Sequence, residues 1–350
     1  MSLPTREEQF PAELTTETLL AFYWQMLLSR RVDERAWVLH RQGKIPFHIS
    51  GIGHEALQVA MAFAINRGVD IVYPYYRDLA VILALGVTPT EFMLSLWGKA
   101  GEISSGGRQM PSHWSKRSVG IVTQSSPVAT QVPQAAGTAF GIKYRIQQGL
   151  QDRADDTQAR LALCTLGEGS TSQGEWHEGM NWAGVHQLPF ICVVENNDYA
   201  ISVPYKKQAS KSVADRAESY GVRGITVDGT DPIKMYSAMR EAVERAYNGE
   251  GATCLEAMCH RLVPHSSDDD DRTYRSPEEL KEIKQFDPLP KFRAYLMEAD
   301  ILTEELDEDY NQKAKQLVNE AHKTAEAAGY PDPADHLDYM HTFKPVEGQS

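Results

Sequence analysis

The chain has 350 residues, a formal net charge of −13, 42% apolar residues and 24% charged residues. This composition fits a globular protein of one large or two ordinary domains. It argues against a basic nucleic-acid groove, and no run of about 18 apolar residues exists to span a membrane. The N-terminal MSLPTREEQFPAELTTE has neither an apolar core nor the arginines of a leader peptide, so a cytoplasmic protein is expected. In chain order, the first predicted element is a helix capped by Thr15 or Thr16 and running toward Gly43, with Leu20, Trp24, Leu27 and Leu28 at helical spacing. HEALQVAMAFAINRG reads as a second, buried helix, DIVYPYYRD as a short strand, and TPTEFMLSLWGKA as a threonine-capped helix. Residues 101–124 are rich in glycine and serine and read as a long functional loop. VATQVPQAAGTAFGIKYRIQQ reads as a small-residue helix packed tightly in a core.

The central third alternates strand and helix. ARLALCTLG, PFICVVENN, GITVDG and ATCLEAMCHRL are the strands, with SQGEWHEGMNWAGVHQ and DPIKMYSAMREAVERAYNG as the principal helices among them. Strands that are apolar throughout predict an α/β fold, a parallel sheet with helices on both faces, whose ligands bind at the strands' carboxyl ends. Cys164, Cys192, Cys254 and Cys259 form no C-x-x-C pair and read as small buried hydrophobes in a reducing compartment. HSSDDDDRTYRSPEEL reads as a mobile loop on composition. The chain then becomes charged and helical, ending in an extended tail, and His322 and His336 read as surface residues. The expected division is an N-terminal helical arm (1–45), an α/β domain (46–276), and a helical region with its tail (277–350).

The stretch from Gly167 to Asn197 concentrates the chemistry. Gly167-Glu168-Gly169 follows one strand and Asn196-Asn197 follows the next, with 26 residues between Gly169 and Asn196. Successive strands of a β-α-β unit are commonly neighbours, so both ends can face one point. Glycines permit a tight turn and close approach of a phosphate, and the following helix is expected to present its N-terminal amides there. A carboxylate, an amide oxygen and a nearby carbonyl are hard donors that suit Mg²⁺ or Ca²⁺ rather than zinc. The reading is a metal-bridged diphosphate at two strand ends.

This G-E-G…N-N spacing resembles the thiamin diphosphate motif. GSTSQGEWHEGMNWAGVHQLPFICVVENNDYAIS, YPYYRD, SSPVATQVPQAAG, VDGTDP and HRLVPHSSDDDDRTYRS are together similar to the alpha subunit of the decarboxylating first component of 2-oxo acid dehydrogenase complexes, over roughly residues 20–340. The branched-chain type is favoured over the pyruvate type, on GRQMPSHW and on glutamate rather than aspartate between the glycines.

The resemblance implies Mg²⁺ held by Glu168, Asn197 and the Tyr199 carbonyl, and a diphosphate held by Arg77 and His265. Tyr76, Ser126, Val128 and Ile201 would line the cofactor cleft, touched also by the backbone of Gly167, Gly169, Ser170 and Ala200. His265 is the leading acid–base candidate, and a nearby phosphate would favour its protonated form. His113 and Ser126 are further catalytic candidates. Ser125, Pro127, Thr130 and Gln131 match a potassium site, with a polar helix start as the other reading. Ser266 matches a serine phosphorylated in mitochondrial relatives, and Asp269, Tyr274 and Arg275 match residues of a loop that orders with the cofactor. Asp268, Asp270 and Asp271 read equally well as a solvated charge run. Glu195 departs from the arginine that branched-chain relatives can carry, so one phosphate contact is expected to be missing or replaced.

The activity implied is decarboxylation of a branched-chain 2-oxo acid, with the acyl group passing to the lipoyl-bearing acyltransferase component. The glutamate that activates the cofactor comes from a separate beta subunit in this family, which predicts an α₂β₂ heterotetramer and an inactive single chain. Pyruvate is the alternative substrate. From other classes, a nucleotide-binding oxidoreductase lacks support because GEGSTS has no third glycine, and a non-catalytic subunit is opposed by intact Glu168, Asn197, Arg77 and His265.

Overall fold

The computed structural model describes residues 14–334, so the outer parts of both predicted terminal segments, and His336, lie outside the described residues. Helices α1 (Thr16–Arg41) and α2 (Glu55–Ala64) precede strand β1 (Ile71–Tyr73). Thr15 caps α1 by accepting from the Thr18 amide at 3.2 Å. After β1 comes a turn through Arg77 and then α3 (Leu79–Leu85), a fully buried helix that the sequence reading passed over. Helix α4 (Pro89–Trp97) starts on a Thr88–Glu91 capping box.

The predicted loop 101–124 is irregular but fastened. The Glu102 carboxylate accepts from the amides of Ser104, Ser105 and Gly107. The loop then returns beside β1, where Val72 bonds Gly120 and Val122 through the backbone. Helix α5 (Gln131–Gln147) leads into β2 (Ala162–Gly167), α6 (Gly174–Val185) and β3 (Phe190–Asn196). A two-stranded hairpin, β4 (Tyr199–Ala200) with β5 (Val203–Pro204), interrupts the alternation before α7 (Val213–Glu218). Strand β6 (Arg223–Asp228), α8 (Pro232–Asn248) and β7 (Thr253–Met258) complete the sheet. The chain continues as α9 (Pro277–Glu282), α10 (Pro288–Glu298) and α11 (Glu304–Ala327).

The sheet is parallel with order β1-β2-β3-β7-β6. The expected α/β architecture is therefore the observed one. One apolar layer lies between the sheet and α2, α3 and α8, with α1, α10 and α11 packed over these helices; the other lies under α5, α6 and α7. Two expectations change. Strand β6 is an edge strand with half-exposed residues rather than an apolar one, because it has only β7 as a neighbour. Helix α5 buries one face only, and Phe140 and Tyr144 on its other face are exposed.

All four cysteines are free and buried. Cys164, Cys192 and Cys254 occupy one register row across β2, β3 and β7. His322 is not a free surface residue: its ring packs against Trp97 at 5.6 Å between centroids, and its side chain is 14% exposed. No helix among the described residues is long and apolar enough to cross a membrane.

Candidate active site

Strands β2 and β3 are hydrogen-bonded neighbours, pairing Gly167 with Glu195, so Glu168 and Asn197 cap adjacent strand ends as the spacing predicts. Between Glu168 and α6 lies a short 3₁₀ turn, Glu168–Ser172, so α6 does not start at the carboxylate. The glycine argument also changes. A Cβ at Gly169 would come within 2.5 Å of the Ala200 side chain, so this glycine is needed where the β4 hairpin presses on the turn.

Glu168 is 1% exposed. One of its oxygens accepts from the Asn197 amide at 3.4 Å, while Oε1 is buried without a partner. Burial raises its pKa, an effect the nearby Arg261 and Arg77 oppose. A buried carboxylate with an unused oxygen is a costly arrangement that a hard cation would relieve. Asn197 Oδ1 accepts from the Tyr199 amide at 3.3 Å. The two asparagines divide the work: Asn196 donates to Glu256 at 2.7 Å and accepts from the Asp198 amide, so it braces β3 against β7. The donor set of Glu168, the Asn197 amide oxygen and the Tyr199 carbonyl is thus compatible with Mg²⁺, although Arg261 already reaches that carbonyl at 3.4 Å.

Arg77 is 2% exposed. It donates to the Ser50 carbonyl at 2.6 Å and to His265 Nδ1 at 3.3 Å, with its guanidinium 5.5 Å from the Tyr76 ring centre. Tyr76 and His265 pack edge to face, 6.0 Å between ring centres. Because Nδ1 accepts from Arg77, the His265 imidazole is neutral. Burial, then Arg77 and Arg261, lower its pKa to about 3. Protonation of His265 therefore requires an arriving anion; the protein alone opposes it.

The sequence reading gave no role to Arg261, which lies just beyond β7 and is 0% exposed. It donates to the carbonyls of Tyr199 and Ile201 and to the Tyr274 hydroxyl. Burial, then Arg77, depress its pKa to about 10. Neither Arg77 nor Arg261 forms an ion pair among the described residues, and each has an unpaired buried Nε. Two buried guanidiniums without a carboxylate partner make a site suited to an anion. The available signal was a basic residue at a strand's carboxyl end.

The loop after Pro264 is not the solvated run its composition suggests. Asp269 accepts from the His265 amide and the Tyr274 hydroxyl, and Arg275 donates to the Arg261 carbonyl at 2.8 Å. Ser266, Asp271 and Arg275 are buried, whereas Asp268 and Asp270 are exposed, Asp270 pairing with Arg272. Glu195 does not face the anion site. It is 0% exposed within β3, and its carboxyl meets His54, Gln58 and Tyr75 beneath the Arg77 turn.

A second group of candidates gathers at an open cavity of about 740 Å³ lined by Met110, His113, Gln124, Ser125, Ser126 and Gln134, among others. Ser126 Oγ and His113 Nε2 are 2.6 Å apart. Val128 is half-buried beside it, before Ala129 in a left-handed conformation with φ 69°. Thr130 donates its hydroxyl to the Pro127 carbonyl, and Gln131 donates to the Thr165 carbonyl on β2, both at 3.0 Å. Gln131 Oε1 is buried and unpaired, which leaves one free oxygen for a monovalent cation. Ala200 and Ile201 complete the hairpin over the Glu168 turn, with Ile201 54% exposed at φ 55°.

The family model for the dehydrogenase E1 component matches residues 23–334. The chain is 49% identical over 329 residues to the 2-oxoisovalerate dehydrogenase subunit alpha of Bacillus subtilis, covering 94% of this chain and 96% of that protein. It is 35% identical to the 3-methyl-2-oxobutanoate dehydrogenase subunit alpha of Mycobacterium tuberculosis (91% of this chain, 81% of that one). It is also 35% identical to the pyruvate dehydrogenase E1 component subunit alpha of Bacillus subtilis (95% of this chain, 84% of that one).

Proposed function

Because the chain belongs to the dehydrogenase E1 component family, we propose that it is the alpha subunit of a thiamin diphosphate-dependent branched-chain 2-oxo acid dehydrogenase. Its reaction is decarboxylation of a branched-chain 2-oxo acid, with the acyl group delivered to a lipoyl group of an acyltransferase component. The observation that carries the site reading is the pair of buried, carboxylate-free arginines beside a buried carboxylate with an unused oxygen. The substrate reading rests on the stronger likeness to the 2-oxoisovalerate subunit than to the pyruvate subunit.

When bound, thiamin diphosphate supplies the carbon nucleophile and the electron sink. The chain's own residues then hold and shield it. Glu168, Asn197 and the Tyr199 carbonyl would hold Mg²⁺, and Arg77 and His265 would hold the diphosphate. Tyr76, Val128, Ala200 and Ile201 form walls, with backbone from Gly167, Gly169 and Ser170. Ser126 and His113 share one hydrogen bond at the cavity and can pass a proton between Oγ and Nε2. Ser125, Pro127, Thr130 and Gln131 form a K⁺ site. These residues span the middle of a three-part chain: a helical arm to residue 45, the diphosphate-binding domain to 276, and a helical extension.

The partner is a beta subunit in an α₂β₂ tetramer, which brings the carboxylate that activates the cofactor. Supporting this is an apolar patch on α5 and α6, where Phe140, Tyr144, Trp182 and Val185 are exposed. Its aromatic content suits a protein interface. Four reduced, buried cysteines suit a cytoplasmic location.

The test uses the chain co-expressed with its beta subunit, with thiamin diphosphate, Mg²⁺ and an artificial electron acceptor. Faster turnover of 3-methyl-2-oxobutanoate than of pyruvate, abolished by Glu168→Ala, is the expected result. Preference for pyruvate overturns the substrate assignment.

A further inference from the structure

Beneath the Arg77 turn lies a buried polar cluster that the reaction itself does not use. The Gln58 side chain, on α2, has no exposure to solvent and reaches Arg77, Asp78, Glu195 and Ala80. Its Nε2 donates to the Arg77 carbonyl at 3.0 Å and to Glu195 Oε2 at 3.0 Å. Its Oε1 accepts from the Ala80 amide at 3.1 Å. Glu195 lies two residues before Asn197 on β3, and the Tyr75 hydroxyl donates to it at 3.1 Å. On the other side, Asp78 accepts from the Tyr75 amide at 2.9 Å and from the Thr165 hydroxyl, three residues before Glu168 on β2. The turn that carries Arg77 is therefore tied to both strands whose ends carry Glu168 and Asn197.

We propose that Gln58 and Glu195 are positioning residues that hold Arg77 in register with the two metal-binding strand ends, and so set the affinity for the diphosphate. This inference rests on the diphosphate reading of the site. An apolar side chain would fill the Gln58 position at less desolvation cost. What the amide adds is direction: it fixes a backbone carbonyl at Arg77 relative to β3, and the Thr165–Asp78 bond fixes the same turn relative to β2.

The test is calorimetric binding of thiamin diphosphate to the Mg²⁺-saturated, cofactor-stripped α₂β₂ protein, together with kcat at saturating cofactor. Gln58→Leu, which removes the donor while keeping the bulk, is expected to raise Kd about 10- to 100-fold, as loss of buried hydrogen bonds does. Its kcat at saturation is expected to remain within about twofold, since the bound geometry is the same once occupied. Glu195→Ala is expected to weaken binding likewise. Glu195→Gln, which keeps acceptors for Gln58 and Tyr75, is expected to restore it. Thr165→Val, a smaller change that cuts the link to β2, is expected to raise Kd and serves if Gln58→Leu fails to assemble. An unchanged Kd in Gln58→Leu or Thr165→Val, or a fall in kcat with Kd unchanged, overturns the inference alone. A wild-type protein that binds no thiamin diphosphate overturns the site reading with it.

Discussion

The two faces of the sheet bury equally well but finish differently. On the face of α2 and α8, the further helices α1, α10 and α11 cover the apolar layer, and what remains outside is charged. On the face of α5 and α6 no third layer follows among the described residues, and the exposed rings of Phe140 and Trp182 meet at a tilt, 5.5 Å between centres. Among the described residues, the first face is covered by the chain's own helices. The second has the character of a surface awaiting another, next to the cavity that Ser126 and His113 line through Gln134 of α5.

The largest expected effect breaks the comparison outright if it fails. The purified chain alone, with cofactor, Mg²⁺ and substrate, should show no steady turnover. Activity regained on adding the beta subunit locates the missing half; turnover without it would show that the open face completes nothing. Next in size is Glu168→Ala in the assembled protein. Loss of a direct metal ligand should exceed the ~10- to 100-fold cost seen for outer-shell partners, read as kcat/KM and as loss of Mg²⁺-dependent cofactor binding.

A smaller effect separates the faces themselves. Trp182→Asp, on α6, should prevent stable assembly, measured as a shift from tetramer to free chain in sedimentation. Gln316→Asp, on the solvent side of α11, should leave assembly unchanged and alter stability by no more than about 0.5 kcal/mol, as exposed substitutions do. Equal behaviour of the two variants would erase the distinction.

The fold was legible because parallel strands buried on both sides read as apolar runs, and the G-E-G to N-N spacing placed Glu168 and Asn197 on neighbouring strands. Other features depended on long-range contacts. LAVILAL was passed over because a short, wholly apolar run has no periodicity to read. Four aspartates in a row implied solvent, yet Asp271 is buried, because Arg275, four residues on, pairs with it and Arg261, from just beyond β7, holds the same loop through the Tyr274 hydroxyl. Glu195 was interpreted through the residue it replaces, whereas its hydrogen-bond partners, Gln58 and His54, come from α2 and its N-cap, far away in sequence. A sequence shows which residues could bind an anion, but burial decides which cations lack partners, and that is what singles out Arg261.

The smallest prediction concerns His265 and tests whether a bound diphosphate changes its protonation. With a pKa lowered to about 3 against about 6.5 in an unfolded chain, the folded protein binds fewer protons there than the unfolded one. Its contribution to stability is therefore full above about pH 6.5 and is lost as pH falls toward 3. A bound diphosphate reverses the local field: it offsets Arg77 and Arg261 and favours the imidazolium, so binding should draw in a proton. Titration calorimetry in buffers of different ionisation enthalpy at pH 7 should show proton uptake in the wild type, by up to about one proton per site more than in His265→Asn. Affinity should accordingly rise more steeply in the wild type as pH is lowered toward 6. Identical uptake in the two proteins would mean that His265 stays neutral beside the phosphate and acts as a hydrogen-bond donor rather than a charge.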